Sequence, residues 1–155
     1  MYVDKARDFL IAQSGTDRPL ISIHVRRVGH KGVEHQGVHP LVPIEHYQRA
    51  IQYFKRTLDN PVFIIFSDDI TWCEENFTWE DFVFATDNEP IVDLAAMSLC
   101  DHHVIANSSF SWWGAWLNPS RDKIVVKPDM WFGQQGPQDT QDLYPVSWKK
   151  LEDFS

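Results

Sequence analysis

Arg26 and Arg27 follow an apolar run, Leu20 to Val25, in which Ile21, Ile23 and Val25 alternate with Ser22 and His24. In a strand that alternation sends His24 and Arg26 to one face and the apolar trio to the other. Two guanidiniums at a strand end can grip a phosphate or carboxylate through charge-assisted hydrogen bonds, or can simply be solvated and salt-bridged. A second segment bears on that choice. Asn107-Ser108-Ser109-Phe110-Ser111 passes from a short apolar run into a helical pattern. At such a junction unpaired backbone N–H groups and the positive end of the helix favour an anion. Ordinary capping by Ser108 or Ser109 is expected there as well, and the two uses are compatible.

Other residues invite chemistry and also have plainer uses. The connection from Arg27 to Pro43 carries Gly29, Gly32 and Gly37 together with His30, His35 and His39, and is longer than a packed α/β unit normally needs. Three histidines suggest zinc, but without a carboxylate pattern to orient them solvated side chains are the better reading, and no metal is expected. Asp68-Asp69 could hold a divalent ion against phosphates, although capping a turn after a strand is the commoner use. Trp112, Trp113 and Trp116 lie at helical spacing with Phe110 and Leu117. Such aromatics can stack on sugar rings, but core packing is the stronger expectation, with Gly114 and Ala115 letting the helix approach a neighbour closely. Cys73 and Cys100 are too few for a disulfide framework and read as buried thiols.

The elements that must position these groups follow from periodicity. Apolar runs at Leu20–Val25, Val62–Phe66, Phe82–Ala85, Val104–Ala106 and Ile124–Val126 read as strands. Between them Ile44, Tyr47, Ile51 and Phe54 recur at helical spacing, as do Ile91, Leu94, Ala95 and Met97 to Leu99 behind Pro90. Ile70 to Phe77 and Phe110 to Leu117 fill the other gaps as short helices, and a further helix, roughly Val3 to Ala12, leads in. This alternation predicts an α/β fold, a Rossmann-like three-layer parallel sheet of about five strands in a single domain over 1–155. Ligands of such sheets bind beyond the carboxyl ends of the strands, where the strand order reverses.

The chain has 155 residues, 43% of them hydrophobic, enough for one packed core. With 14 Lys and Arg against 22 Asp and Glu the net charge is −8, which argues against nucleic acid as a partner while leaving room for a small anion held by a few placed cations. No apolar run approaches a membrane span, and Met1 to Lys5 lacks the regions of a signal peptide, so a cytoplasmic location is expected, with peripheral membrane attachment left open.

Several blocks together carry a resemblance. His24-Val25-Arg26-Arg27, Phe66-Ser67-Asp68-Asp69 with Trp72-Cys73, Asp93-Leu94 with Met97-Ser98 and Cys100, Ile105 to Leu117, and Tyr144-Pro145 with Trp148 resemble, in order, the α-1,2-fucosyltransferases of glycosyltransferase family 11. The Asn-Ser-Ser-Phe-Ser-Trp-Trp-Gly-Ala block is the most specific. The resemblance implies the C-terminal, nucleotide-sugar-binding half of a GT-B enzyme. It implies GDP-fucose as donor substrate, no further cofactor or metal, and inverting transfer of L-fucose to the 2-hydroxyl of a galactose-containing glycan. By the same resemblance Arg26 holds the diphosphate, His24 and Asp93 lie near the guanine, and Ser108 and Ser109 donate to phosphate oxygens, with Arg27, Asn107 and Ser111 counted among the donor-binding residues.

Two departures shape the expectation. The family continues Gly-Asp-Tyr after the arginines where this chain has Val28-Gly29-His30, which leaves His30, Glu34 or His35 as candidates for the catalytic base beside Arg26. The family also places more chain before the His-x-Arg-Arg strand to help form the acceptor cleft. A non-catalytic nucleotide-sugar-binding module, or one half of a split enzyme completed by a homo-oligomer or a second chain, is therefore the alternative.

Overall fold

A computed structural model describes residues 1–15, 17–28, 37–78 and 82–154. The chain opens with helix α1 (Tyr2–Ser14) and then alternates β1 (Leu20–Val25), α2 (Ile44–Thr57), β2 (Val62–Ser67), α3 (Ile70–Asn76), β3 (Phe82–Phe84), α4 (Pro90–Leu99), β4 (His102–Val104), α5 (Ser109–Leu117) and β5 (Val125–Val126). A 3₁₀ turn, Leu151–Phe154, lies near the end. Local chemistry accounts for the helix limits. Asp69 caps α3 by accepting from the Trp72 N–H, and Pro90 starts α4 where its missing N–H costs nothing. Glu45 in the first turn of α2 and Lys55 and Arg56 in its last oppose the helix dipole.

All five strands are parallel, in the order β3-β2-β1-β4-β5. The chain winds outward from β1 to β3, then crosses back to lay β4 on the other side of β1. The order therefore reverses between β1 and β4, which is where a crevice opens at the carboxyl edge of such sheets.

Helices cover both faces. On one, Ile21, Ile23, Phe63 and Ile65 pack against Tyr47, Ile51 and Phe54 of α2 and Cys73 of α3. On the other, Val62, Ile64 and Phe66 meet Ala6 and Leu10 of α1 and Val92, Ala96 and Met97 of α4. Emptying such a core position, as in Phe54→Ala, costs about 3–5 kcal/mol. Beside α4, α5 contributes Ala115 to a smaller cluster with Ile105, Val125 and Trp148. A Cβ on Gly114 would lie 2.9 Å from both the Cβ and the Sδ of Met97, so the close approach of α5 to α4 requires glycine there.

The three-layer parallel sheet stands as expected, with two differences. Strand β4 begins at His102, earlier than the apolar run Val104–Ala106, because the strand takes in polar residues. His103 is fully buried, with Nδ1 2.7 Å from the Ser22 hydroxyl and Nε2 2.9 Å from the Asn118 amide nitrogen. Since the Asn118 amide donates to Nε2, the ring proton sits on Nδ1 and is donated to Ser22. Core packing holds for Trp112 but fails as an account of Trp113 and Trp116. Trp112 is half-buried against Trp148, but Trp113 and Trp116 are 49% and 50% exposed. The two cysteines are buried thiols. Among the described residues, no helix is long and apolar enough to cross a membrane.

Candidate functional site

Register brings the two sequence segments singled out above side by side. Ile23 of β1 pairs with Val104 of β4, and Val25 pairs with Ser67 of β2. Continuing those ladders sets Arg26 level with Asn107 on one side and with Asp68 on the other. The carboxyl end of β1 therefore stands between the turn into α5 and the turn into α3.

Arg26 and Arg27 diverge there. Arg26 keeps 40% of its side chain exposed, with one guanidinium nitrogen 3.2 Å from Asp68 Oδ2. Arg27 turns to the α3 side, where its guanidinium carbon lies 3.8 Å from the centre of the Trp72 ring and its Nε lies 3.7 Å from Asp69. The backbone of this turn is held by Asp68, which accepts from the N–H groups of Arg27 at 2.8 Å and Val28 at 3.0 Å. The paired carboxylates thus brace turns and side chains. Among the described residues, no group of three His, Cys, Asp or Glu side chains is gathered so as to hold a metal ion.

On the face that Arg26 shares with the preceding alternate residues, His24 is buried, its ring 5.5 Å from that of Phe110 in the first turn of α5. Ser108 is the N-cap of α5 in extended conformation, and its hydroxyl makes no capping hydrogen bond. Ser109 is exposed. The N–H groups of this turn and the hydroxyls of Ser108 and Ser109 form the donor-rich end of the helix. Ser111 is buried and donates to the Ser108 carbonyl at 3.2 Å, which tightens the turn. Asn107 is committed inward too: its amide donates to the carbonyls of Pro40 at 2.8 Å and Trp131 at 3.1 Å.

Asp93 lies in the first turn of α4, at the same edge of the sheet as the start of α5. Burial pushes its carboxyl up to about 6, against the opposing pull of the Asn88 amide, which donates to it at 3.0 Å. A carboxylate that has already lost much of its water can accept paired N–H donors from a ligand at little further cost.

The structure therefore gathers His24, Arg26, Ser108 and Ser109 around the β1–β4 reversal, sets Asp93 on the neighbouring helix start, and gives Arg27, Asn107 and Ser111 bracing contacts. His30 and Glu34, like His35, lie outside the described residues. Sequence reasoning passed over His46, which is half-buried on α2 with Nε2 3.3 Å from the Ile105 carbonyl; burial depresses its imidazole to about 4. Its place beside Tyr47 in the helical pattern was the available signal.

The chain is 39% identical over 138 residues to an alpha-1,2-colitosyltransferase of Escherichia coli, covering 85% of this chain and 47% of that protein. It is 33% identical over 115 residues to galactoside alpha-(1,2)-fucosyltransferase 1 of Lagothrix lagotricha, covering 69% of this chain and 31% of that one. The crystal structure of POFUT1 in complex with GDP superposes with a TM-score of 0.59 at 13% identity, over 83% of this chain and 46% of that one, a likeness of fold. The chain thus spans about half or less of the length of these relatives. Residues 6–152 match the model of glycosyl transferase family 11, and to that family this chain belongs.

Proposed function

We propose that the chain binds GDP-fucose at the β1–β4 rim and serves inverting transfer of L-fucose, in α-1,2 linkage, to a galactose-containing glycan. The observation that carries this reading is the half-exposed Arg26 guanidinium, set by strand register beside the start of α5. A single placed cation and a helix N-terminus are suited to a pyrophosphate leaving group and need no divalent ion. Support also comes from relatives named as galactoside fucosyltransferases and from a fold neighbour described as a complex with GDP.

In this reading the acceptor hydroxyl attacks the anomeric carbon as the carbon–oxygen bond to the β-phosphate breaks. The electron pair of that bond passes to the phosphate oxygen, where Arg26 and the N–H groups at Ser108 and Ser109 stabilise the developing charge. The hydroxyl proton goes to a base, assigned by residue type to His30 or Glu34. Asp93 accepts from the N–H groups of the guanine, and His24 closes the site behind Phe110. Arg27, Asn107 and Ser111 keep the two turns in place.

Titration calorimetry tests the donor site. GDP binding should survive EDTA and weaken by about 2–4 kcal/mol in Arg26→Ala, the scale for removing a charged partner from a phosphate. Unchanged affinity rejects the assignment. Transfer of labelled fucose to a galactoside by this chain alone tests the enzyme reading, and donor binding without transfer favours a binding module. The colitosyltransferase relative supports a second donor, so the fucosyl and colitosyl forms belong in the same assay.

A further inference from the structure

Two cavities lie side by side beyond the carboxyl end of β5. One, of about 170 Å³, is walled by Pro40, Pro43 and Pro128 and edged by Glu45, Arg49 and Asp129. The other, of about 180 Å³, sets the aromatic surfaces of Trp131 and Tyr144 against Gln138, Thr140 and Lys127. Pro128, Asp129 and Met130 line both, so the two form one trough with Asp129 at its middle. Each cavity alone is smaller than a typical ligand site, and together they reach the lower end of the ~300–1,000 Å³ such sites occupy.

One side chain couples this trough to the rim described above. The Asn107 amide holds the Pro40 carbonyl, from the wall of the first cavity, and the Trp131 carbonyl, from the wall of the second. Asn107 directly precedes Ser108, the N-cap of α5. The trough therefore borders the residues assigned to the phosphates, and a single buried amide fixes both of its parts to them.

The lining narrows the chemistry of the occupant. Glu45 and Asp129 stand against Arg49, Lys127 and Lys150 around the two cavities, so the charges largely offset one another and leave a single positive excess, too little to select a strongly charged ligand. Carboxylates and an amide at the edge suit a ligand that presents many hydroxyls, which donate to the former and exchange bonds with the latter. The proline walls and the Trp131 ring suit the C–H face of a sugar ring, while the Tyr144 ring carries the Lys127 ammonium 4.4 Å from its centre.

We infer that this trough is the acceptor subsite, taking the end of a neutral glycan with one sugar ring in each cavity, an inference that rests on the donor reading above. Asp129 lies between the rings and accepts from hydroxyls of both, and Glu45 accepts from the ring in the first cavity.

The test is a titration of the isotope-labelled chain with lactose, followed by amide chemical shifts with and without GDP. The shifts should cluster at Arg49, Asp129, Gln138 and Thr140. Asp129→Asn and Glu45→Gln should each weaken lactose about tenfold or more, the scale of one hydrogen bond to a charged group, and leave GDP affinity unchanged. Absence of shifts up to roughly 50 mM lactose, shifts that map to Trp113 and Trp116 instead, or unchanged affinity in Asp129→Asn would each overturn the inference. Failure of the donor reading looks different: lactose still maps to the trough while GDP binding is absent or indifferent to Arg26→Ala.

Discussion

Acidification from pH 7 to pH 5 should destabilise this domain through two histidines that the fold keeps neutral. Burial holds His103 down at about 3 and His46 at about 4, both against an ordinary value of 6.5. Because the folded values are depressed, the stability tied to these groups is complete above pH 6.5. It is lost as the pH falls from there towards the folded values, since the unfolded chain takes up protons that the folded chain refuses. Over this interval each histidine removes about 2 kcal/mol, so the pair removes about 4 kcal/mol of the 5–15 kcal/mol typical of a domain. Asp93 acts in the opposite sense. Its raised carboxyl is relieved on protonation, but its partial exposure screens the effect, and the return is at most about 1 kcal/mol. The net loss is therefore about 3 kcal/mol. Urea unfolding followed by tryptophan fluorescence at both pH values measures it, and imidazole NMR shows whether His103 stays neutral. Equal unfolding free energies at pH 7 and pH 5, or a His103 ring that titrates near its ordinary value, would refute the reasoning.

Other perturbations separate bracing from binding. Arg27→Lys should lower stability by about 0.5–2 kcal/mol through loss of the flat contact with Trp72, and leave GDP affinity within about twofold; chemical denaturation and calorimetry read the two effects. Gly114→Ala should cost about 1–3 kcal/mol, because its methyl meets Met97 at a distance real contacts do not show, and a lowered Tm reports it. Asp93 must be ionised to accept from paired N–H groups of a base with both its oxygens, so GDP affinity should fall as pH drops through about 6 and lose that dependence in Asp93→Asn, as calorimetry at several pH values would show.

Much of the architecture was legible because parallel strands and their covering helices differ in period. Leu20–Val25 agrees with β1 residue for residue, and the helical spacing of Ile44, Tyr47, Ile51 and Phe54 places α2. The start of β4 was hidden because a hydrophobicity pattern cannot foresee that His103 is satisfied by Ser22 and Asn118, residues remote in sequence. Trp113 and Trp116 were obscured for a related reason. A helix apolar on every side gives no periodic signal of which side faces solvent. At the site, strand alternation already separates Arg26 from Arg27. The inward commitment of Asn107 depends on Pro40 and Trp131, which only the folded chain brings together.

The ion pair between Arg26 and Asp68 does not close the site. With Arg26 40% exposed, the pair belongs to the class worth roughly 0–1 kcal/mol in water. Hydrogen bonds from a guanidinium to a phosphate contribute about 1.5–3 kcal/mol, so an arriving diphosphate can draw Arg26 away at a net gain. Asp68 is left stable by that exchange, because the N–H groups of Arg27 and Val28 still donate to its carboxylate. The same two bonds hold the end of β1 in place while the guanidinium changes partner. A carboxylate in this position therefore orients the cation in the resting site and keeps its backbone anchored once the ligand is bound.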